Sequence, residues 1–236
     1  MFIALLIFTL YFGIGDDHSP ANVVNISSML FMWCTLPAFG AASYVPQIVM
    51  ERSLYMRERA DGLYKPLTYV LAKMFDEMLL LLFVTIIIAA LVFYTVNLSG
   101  SFILFWSVYY VTLANGVVLA YLISALSPNM EAANAILPTY VVTLLFFAGF
   151  LIRPADTPSY WKWYPYVDLM KFSWGALMIN QWKDNDPEFV SGVSLLTEYD
   201  LDGESEWAYV GYLCVFFLAF FCMAFLALKY VNHSKR

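Results

Sequence analysis

Few side chains in this sequence of 236 residues could carry out chemistry, and their spacing argues against a catalytic centre. The two histidines, His18 and His233, lie at opposite ends of the chain, so they cannot complete one metal site. No glycine directly precedes a lysine, so the chain has no Walker A loop for ATP. The serines lack the context of a hydrolase nucleophile. We therefore expect no catalytic residue, no metal and no cofactor bound by this chain.

Asp76 and Glu77 form an acidic pair near the start of a long apolar stretch. An ionisable side chain at membrane depth suggests substrate or proton handling. At this position, however, both side chains could reach the membrane surface or pair with Lys73 or nearby arginines. Structural pairing is the favoured interpretation, and substrate or proton handling is the alternative.

Composition places the chain in a membrane. Hydrophobic residues make up 62% of the sequence, whereas a soluble domain is about 45–50% apolar. The apolar runs are continuous rather than alternating, which favours helices over an outer-membrane barrel. All three cysteines (Cys34, Cys214 and Cys222) lie inside those runs. The expected fold class is therefore an all-α integral membrane protein.

Hydropathy predicts six membrane-spanning helices. The predicted spans are approximately residues 1–14, 28–48, 69–96, 102–126, 132–152 and 207–230. The first is shorter than the roughly 20 residues that a spanning helix needs, so we expect that its start is missing. Pro37 and Pro46 lie inside the second span and predict that it is bent.

Residues 51–65 form a charged elbow between the second and third spans. Seven of these fifteen residues are charged, in a chain where only 13% of residues are. The elbow is too polar for hydrocarbon, and its basic residues place it in the cytoplasm. Six crossings then put both termini in the cytoplasm and residues 153–206 outside, with eight basic residues inside and four outside. Two glycosylation sequons, at Asn25 and Asn97, fall on the outer side, and their use stays open.

The predicted external segment, residues 153–206, is aromatic and acidic. Aromatic and polar residues mix over 160–166 and 172–174 without reaching the length of a span, which predicts an interfacial or re-entrant segment. Ten of the eighteen acidic residues lie between positions 156 and 206. A segment this acidic is not expected to bind nucleic acid.

Two separated stretches resemble the membrane domain of G-subfamily ABC transporters, of the White and pleiotropic-drug-resistance type. The first stretch has Glu51-Arg52 and Arg57-Glu58 in the elbow, then residues 61–64 (Asp-Gly-Leu-Tyr) and 69–73 (Tyr-Val-Leu-Ala-Lys). The second has residues 147–152 (Phe-Ala-Gly-Phe-Leu-Ile), 158–163 (Pro-Ser-Tyr-Trp-Lys-Trp) and 172–177 (Phe-Ser-Trp-Gly-Ala-Leu). The resemblance extends over essentially the whole of residues 1–236.

The resemblance implies a six-helix exporter membrane domain with a cytoplasmic coupling helix and a re-entrant external segment. It implies that Glu51, Arg52, Arg57 and Glu58 transmit motion from a nucleotide-binding domain that holds ATP and Mg²⁺. No such domain precedes the first span in residues 1–236, so it would be lost in cis or supplied in trans. A second half-transporter, identical or different, would complete the export path, and membrane lipid would surround it.

In transporters of this type the substrate lies between two membrane halves. The resemblance implies that the cavity is lined by residues of the second and fifth spans, namely Met32, Thr35, Leu36, Phe39, Gly40, Thr139, Val142 and Leu145. Phe39 would offer a flat ring on which a polycyclic ligand stacks. Phe150 and Leu151 would form an apolar plug that closes the outward path. The expected cargo is lipid-like or amphipathic.

Three features depart from the family pattern. The chain has no nucleotide-binding domain, the external segment has no cysteine, and Leu80 stands where many members have proline. The alternative function is therefore a non-transporting membrane scaffold or partner-binding fragment, and an in-frame P-loop domain upstream would decide against it. An ion channel is disfavoured because the spans contain no ring of acids and no carbonyl-rich filter motif.

Overall fold

The computed structural model describes residues 6–7, 9–16, 19–184, 186–187 and 193–231. Within these ranges the main helices are α1 (Pro20–Gly40), α2 (Val45–Ala60), α3 (Pro66–Val96), α4 (Phe102–Leu126), α5 (Met130–Phe147), α6 (Leu169–Trp182), α7 (Leu195–Glu198) and α8 (Glu206–Tyr230). The predicted all-α fold class is confirmed for this part of the chain.

Five helical stretches among the described residues are long and apolar enough to cross a membrane, so the chain is a multi-pass membrane protein. They are Asn22–Ala60, Pro66–Val96, Phe102–Leu126, Met130–Phe147 and Glu206–Tyr230. The predicted first span, residues 1–14, lies partly outside the described residues, and His18 and His233 lie outside them altogether.

The first of these stretches changes from α-helix to a 3₁₀ turn between α1 and α2. Pro37 lies inside α1 and Pro46 lies in the first turn of α2, and residues Ala41–Tyr44 between the two helices form a 3₁₀ turn. Proline has no N–H, so it removes an intrahelical hydrogen bond and favours a bend. The two prolines predicted to bend this span flank the 3₁₀ turn, and the helix runs on to Ala60 rather than stopping at residue 48. The elbow is therefore the second half of α2 and the turn that follows it.

Helix α4 is the centre of the fold. It packs against α1, α3, α6 and α8, and residues 114–125 are all buried. A helix that is apolar on every side is expected to be surrounded by other elements. Gly116 permits the close approach of α1, because a Cβ at this position would lie 3.1 Å from the Cβ of Ala41. The bounds of α4 coincide with those predicted for the fourth span.

Helix α6 is a short helix of 14 residues inside the predicted external segment. It begins at a capped turn, since Asp168 Oδ1 accepts a hydrogen bond from Met170 N at 2.8 Å. Most of its residues are buried against α1, α4 and α8. At its other end the Asn180 side chain bonds to both backbone polar atoms of Ser101 in the turn between α3 and α4. This part of the segment thus packs back into the helix bundle.

Helix α5 is shorter than the predicted fifth span. It has an internal proline, Pro138, and ends at Phe147 rather than at residue 152. Gly149 then adopts a φ of +100°, a conformation that glycine reaches at little cost. Residues 150–152 consequently lie outside the helix, and Phe150 contacts aromatic rings of the neighbouring helices.

Candidate functional site

The elbow helix α2 holds the end of α4. Arg52 lies beside the last turn of α4, where backbone carbonyls lack an intrahelical partner. Its Nη1 donates to the carbonyl oxygens of Ser124 at 3.0 Å and Ser127 at 2.7 Å, and its Nη2 donates to Pro128 O at 3.0 Å. A cation here also opposes the negative end of the helix dipole. Arg52 therefore acts as a C-terminal cap for α4.

Arg59 repeats this arrangement at the end of α8. Its Nη1 donates to Leu228 O at 2.9 Å and its Nη2 donates to Lys229 O at 3.0 Å. The buried hydroxyl of Tyr55 lies 3.5 Å from the same Leu228 oxygen. Arg52 and Arg59 are about two helical turns apart, so both project from one face of α2. One face of the elbow thus binds two helices that are distant from it in sequence.

The elbow is also fastened to α3 and to the turn that follows α2. Glu51 forms an ion pair with Lys73 at 2.8 Å and accepts a hydrogen bond from Gln47 Nε2 at 3.1 Å. Glu58 accepts a hydrogen bond from the Tyr64 hydroxyl at 2.6 Å. Burial and the neighbouring Glu58 carboxylate raise the pKa of Tyr64. The hydroxyl therefore stays protonated, as a donor, at neutral pH.

The opposite face of α2 is exposed. Met50 and Leu54 are 73% and 56% exposed, and Arg57 is exposed as well. Positions 50, 54 and 57 follow the i, i+4, i+7 spacing of one helix face. These three side chains together form an exposed stripe, a candidate interaction surface on this face of α2. Of the four predicted coupling residues, Arg57 lies on this stripe, whereas the others, Glu51, Arg52 and Glu58, contact neighbouring elements.

Sequence reasoning gave no role to Met50 or Leu54, and it counted Arg59 only among the basic residues that place the elbow in the cytoplasm. The signals that could have found them are the i, i+4 spacing of the two apolar residues and the i, i+7 spacing of Arg52 and Arg59. The spacing of the two arginines does not identify the backbone carbonyls that they bind, because every residue type has such a carbonyl.

The acidic pair on α3 divides between two environments. Glu77 is partly buried and lies within electrostatic range of Lys73 and Glu51. The Asp76 side chain is exposed on the surface of α3. The structure thus brings Glu77 to the elbow but not Asp76. Among the described residues, no three potential metal ligands come together.

The predicted cavity residues divide between exposed and buried positions. Met32, Phe39 and Gly40 of α1, and Thr139 and Val142 of α5, are exposed. Helices α1 and α5 contact each other, so these residues lie on neighbouring helices. The exposed side of α5 forms a shallow, open groove of about 400 Å³. The groove is lined by Pro138, Thr139, Val142, Thr143 and Phe146.

The remaining predicted cavity residues are less accessible. Thr35 is 6% exposed, and its Oγ1 donates to Phe31 O one turn earlier at 2.8 Å. Leu36 and Leu145 are partly buried against the core. Thr35 is therefore directed into the bundle rather than towards the exposed face of α1.

The two predicted plug residues, Phe150 and Leu151, lie in different environments. Phe150 stacks on Phe31 of α1 with 4.8 Å between the ring centroids, and it meets Trp174 of α6 at 5.7 Å. Leu151 is 52% exposed. Phe150 thus joins α1 to α6, while Leu151 lies on the surface beside it.

Comparison with known proteins identifies the family. The family model for the ABC-2 type transporter matches residues 1–182. ABC transporter G family member 19 of Arabidopsis thaliana is 26% identical over 204 residues, which cover 85% of this chain and 28% of the relative. Protein white of Drosophila melanogaster is 28% identical over 243 residues, which cover 96% of this chain and 35% of the relative.

A third relative, ABC transporter G family member 1 of Dictyostelium discoideum, is 24% identical over 256 residues, covering 100% of this chain. The chain spans between 28% and 35% of the length of these three relatives. The match to the ABC-2 family extends over most of the chain, and two of these three relatives carry the G-family name. The chain belongs to the ABC-2 type transporter family and is a membrane domain of the G family of ABC transporters.

Proposed function

We propose that this chain is the membrane-spanning part of an ATP-driven exporter that moves lipid-like or amphipathic molecules by alternating access. The observation that carries the proposal is the division of the elbow helix into two faces. Arg52 and Arg59 bind one face to the ends of α4 and α8, while Met50, Leu54 and Arg57 are exposed on the other. A force on the exposed face would therefore move two helices that are remote from α2 in sequence.

The partner that fits the exposed stripe is a nucleotide-binding domain, joined to this chain in cis or supplied in trans. That domain would hold ATP and Mg²⁺ and supply the hydrolysis. Arg57 makes the direct contact in this scheme, while Glu51, Arg52 and Glu58 pass the movement on. A guanidinium group suits both the partner contact of Arg57 and the helix contact of Arg52, because its hydrogen-bond donors are held in one rigid plane.

The proposed topology has six crossings, with residues 1–14 as the first. Both termini and the elbow lie in the cytoplasm, and residues 153–206 lie outside. The split of basic residues, eight inside and four outside, supports this orientation. Helix α6 is the re-entrant element, since its 14 residues are too few to span a bilayer yet pack inward against α1, α4 and α8.

The proposed substrate path lies between two copies of this domain, identical or different. The lining of this path comes from exposed side chains of α1 and α5. It is mainly apolar and includes Met32, Phe39, Val142 and the hydroxyl-bearing Thr139. Phe39 offers the flat ring for stacking. Phe150 and Leu151 close the outward end, and Thr35 shapes α1 from within instead of touching the cargo.

The test is ATP-dependent export from proteoliposomes that contain this membrane domain together with its ATPase domain. A fluorescent amphiphile is loaded, and its ATP-dependent movement is measured for the unmodified protein, Leu54→Asp and Arg57→Glu. Both variants place an unfavourable charge on the exposed stripe, and we expect each to reduce export by at least about fivefold, which corresponds to about 1 kcal/mol of lost coupling.

A matched control is Asp202→Lys, a charge reversal at an exposed position of the external segment. It should leave export unchanged. Normal export by Leu54→Asp and Arg57→Glu would overturn the assignment of the docking stripe alone. If the unmodified protein shows no ATP-dependent export of any amphiphile, the scaffold alternative replaces the transporter.

A further inference from the structure

The end of the bundle opposite the elbow carries a polar cavity that the proposed transport path does not use. Its volume is about 380 Å³, within the range of about 300–1,000 Å³ in which proteins bind small ligands. Lys162 and Lys171 line it, together with Thr157, Thr197, Glu198 and Asp200. The cavity thus has two ammonium groups, two hydroxyls and two carboxylates, of which Glu198 is paired with Arg153.

An apolar groove adjoins this cavity. Its volume is about 390 Å³, and Tyr166 and Lys171 line both the groove and the cavity. The rest of the groove comes mainly from apolar and aromatic residues of α6 and α8, which are Phe172, Tyr209, Tyr212, Val215 and Phe216. Positions 209, 212 and 216 are three and four residues apart, so the groove follows one face of α8 for about 10 Å. That shape fits a stretch of hydrocarbon chain.

Both signs of charge surround the two openings. Lys162 and Asp200 line the cavity, Glu204 lines the groove, and Lys171 lines both. None of these four forms an ion pair with another residue that the structure describes. The Lys171 ammonium lies 4.9 Å from the centre of the Tyr166 ring, a cation–π contact that leaves it available to an anion. A ligand that carries an anion and a cation close together would satisfy both signs.

The segment beside the cavity has the composition of a membrane interface. Tyr160, Trp163 and Tyr166 are 72%, 58% and 71% exposed. They follow the end of α5, and α8 begins just beyond the cavity, so they lie where membrane-crossing helices end. Exposed tyrosine and tryptophan at this level are typical of the headgroup region. At this level of a bilayer the neighbouring molecules are lipids, with headgroups level with the cavity and acyl chains level with the groove.

We propose that this end of the protein binds one zwitterionic phospholipid from the surrounding leaflet. Its phosphate lies between Lys162 and Lys171, its ammonium group lies near Asp200, and one acyl chain follows the groove along α8. The acidic residues at the rim disfavour a headgroup with net negative charge. The bound lipid braces α6, whose Trp174 contacts the plug residue Phe150 at 5.7 Å. The site is separate from the path along α1 and α5.

Native mass spectrometry of the full chain in detergent tests this proposal by counting bound lipids. The probes are dioleoylphosphatidylcholine, dioleoylphosphatidylglycerol, dioleoylglycerol and the chain-free headgroup glycerophosphocholine. We expect the first phosphatidylcholine to bind about tenfold more tightly than phosphatidylglycerol, which has no cation for Asp200, or dioleoylglycerol, which has no phosphate for the lysines. Glycerophosphocholine should not bind, because it lacks the chain that fills the groove. Equal affinity for the three lipids, or binding of the headgroup alone, would overturn the proposal.

Two variants examine the two halves of the site separately. Lys162→Ala removes one ammonium group and should weaken phosphatidylcholine binding about fivefold. Val215→Trp, at a position that is 63% exposed, fills the groove and should abolish binding without altering a charge. The control is Lys183→Ala, since Lys183 pairs with Glu206 at 2.9 Å and does not line either opening. Unchanged binding in both variants, at unchanged melting temperature, would show that lipid attaches elsewhere.

Discussion

Arg52 Nη1 donates to the carbonyl oxygen of Ser127 at 2.7 Å, across 75 positions of the sequence. This bond joins the elbow to the end of α4, the helix that packs against α1, α3, α6 and α8. A displacement of α2 therefore reaches the centre of the bundle directly, and not only through the chain on either side of the elbow. The elbow is part of the helix bundle rather than a loop attached to it.

Removing the Arg52 side chain should lower the stability of the fold. In Arg52→Ala three carbonyl acceptors lose a charged donor, and we expect the free energy of unfolding to fall by about 2 kcal/mol. Arg52→Lys keeps the charge but not the planar pair of donors, so its loss should be intermediate. Denaturant unfolding in detergent micelles measures both values.

The control for this experiment is Arg57→Ala, which removes an arginine from the exposed face of the same helix. Its effect on the free energy of unfolding should stay within about 0.5 kcal/mol. An equal loss in Arg57→Ala and Arg52→Ala would mean that helix propensity or net charge, rather than the cap on α4, sets the stability.

The sequence alone predicts the helices that hydropathy defines. The bounds of α4 coincide with the prediction, and α3 and α8 begin only slightly before the predicted positions. These helices are continuous apolar runs bounded by polar turns, so their ends are marked locally. The end of α5 at Phe147 was not predicted from hydropathy, because residues 148–152 stay apolar although Gly149 adopts a φ of +100° just after the helix.

Contacts between distant segments could not be read from the sequence in the same way. The elbow was predicted to be charged and exposed, yet Arg52 and Arg59 bind backbone oxygens, which every residue type presents. Thr35 belongs to a predicted cavity lining but donates to Phe31 O inside the bundle. Which face of α1 is exposed depends on how α4 and α6 pack, and that is decided by tertiary structure.

Gly175 marks a close approach of α6 and α8, and a side chain there should destabilise the protein. A Cβ at this position would lie 2.6 Å from Tyr209 Cε2. Gly175→Ala should therefore lower the free energy of unfolding by about 1–3 kcal/mol, as overpacked cores do. In a Tyr209→Leu background, Gly175→Ala should lower the free energy of unfolding by less, because the aromatic ring that obstructs the new methyl group is absent.

Gly211 on α8 provides the matched control, since a Cβ there would meet nothing within 4 Å. Gly211→Ala should be neutral or stabilising by up to about 1 kcal/mol. Thermal unfolding of these variants beside the unmodified protein gives the comparison. If Gly175→Ala costs as much in the Tyr209→Leu background as it does with the tyrosine in place, the ring is not the obstacle.

Asn180 should stabilise the conformation of the turn between α3 and α4. Its Oδ1 accepts a hydrogen bond from Ser101 N at 2.8 Å, and its Nδ2 donates to Ser101 O at 3.2 Å. Asn180→Ala removes both bonds, so amide exchange over residues 97–101 should accelerate by about tenfold, which corresponds to the net worth of one or two hydrogen bonds. Hydrogen–deuterium exchange with mass spectrometry measures this rate. Asn25→Ala, at an exposed position of α1, should leave it unchanged.

Asp168 should make the stability of the protein depend on pH. Burial raises the pKa of this carboxyl from 3.8 to about 8, against a smaller opposing effect of the backbone N–H groups of Met170 and Lys171. Its Oδ2 is buried and has no hydrogen-bond partner among the described residues. Between about pH 4 and pH 8 the folded state therefore holds a proton that the unfolded state has released. The contribution of Asp168 to the free energy of unfolding should therefore fall as the pH rises from about 4 to about 8, and then level off.

Asp168→Asn isolates this contribution, because asparagine can still cap the first turn of α6 but does not titrate. The difference in melting temperature between the unmodified protein and Asp168→Asn, measured from pH 5 to pH 8.5, should move in favour of the variant as the pH rises. The difference cancels the titration of the other groups, which both proteins share. A difference that does not change with pH would mean that Asp168 ionises equally in the folded and unfolded states, and that water reaches its second oxygen.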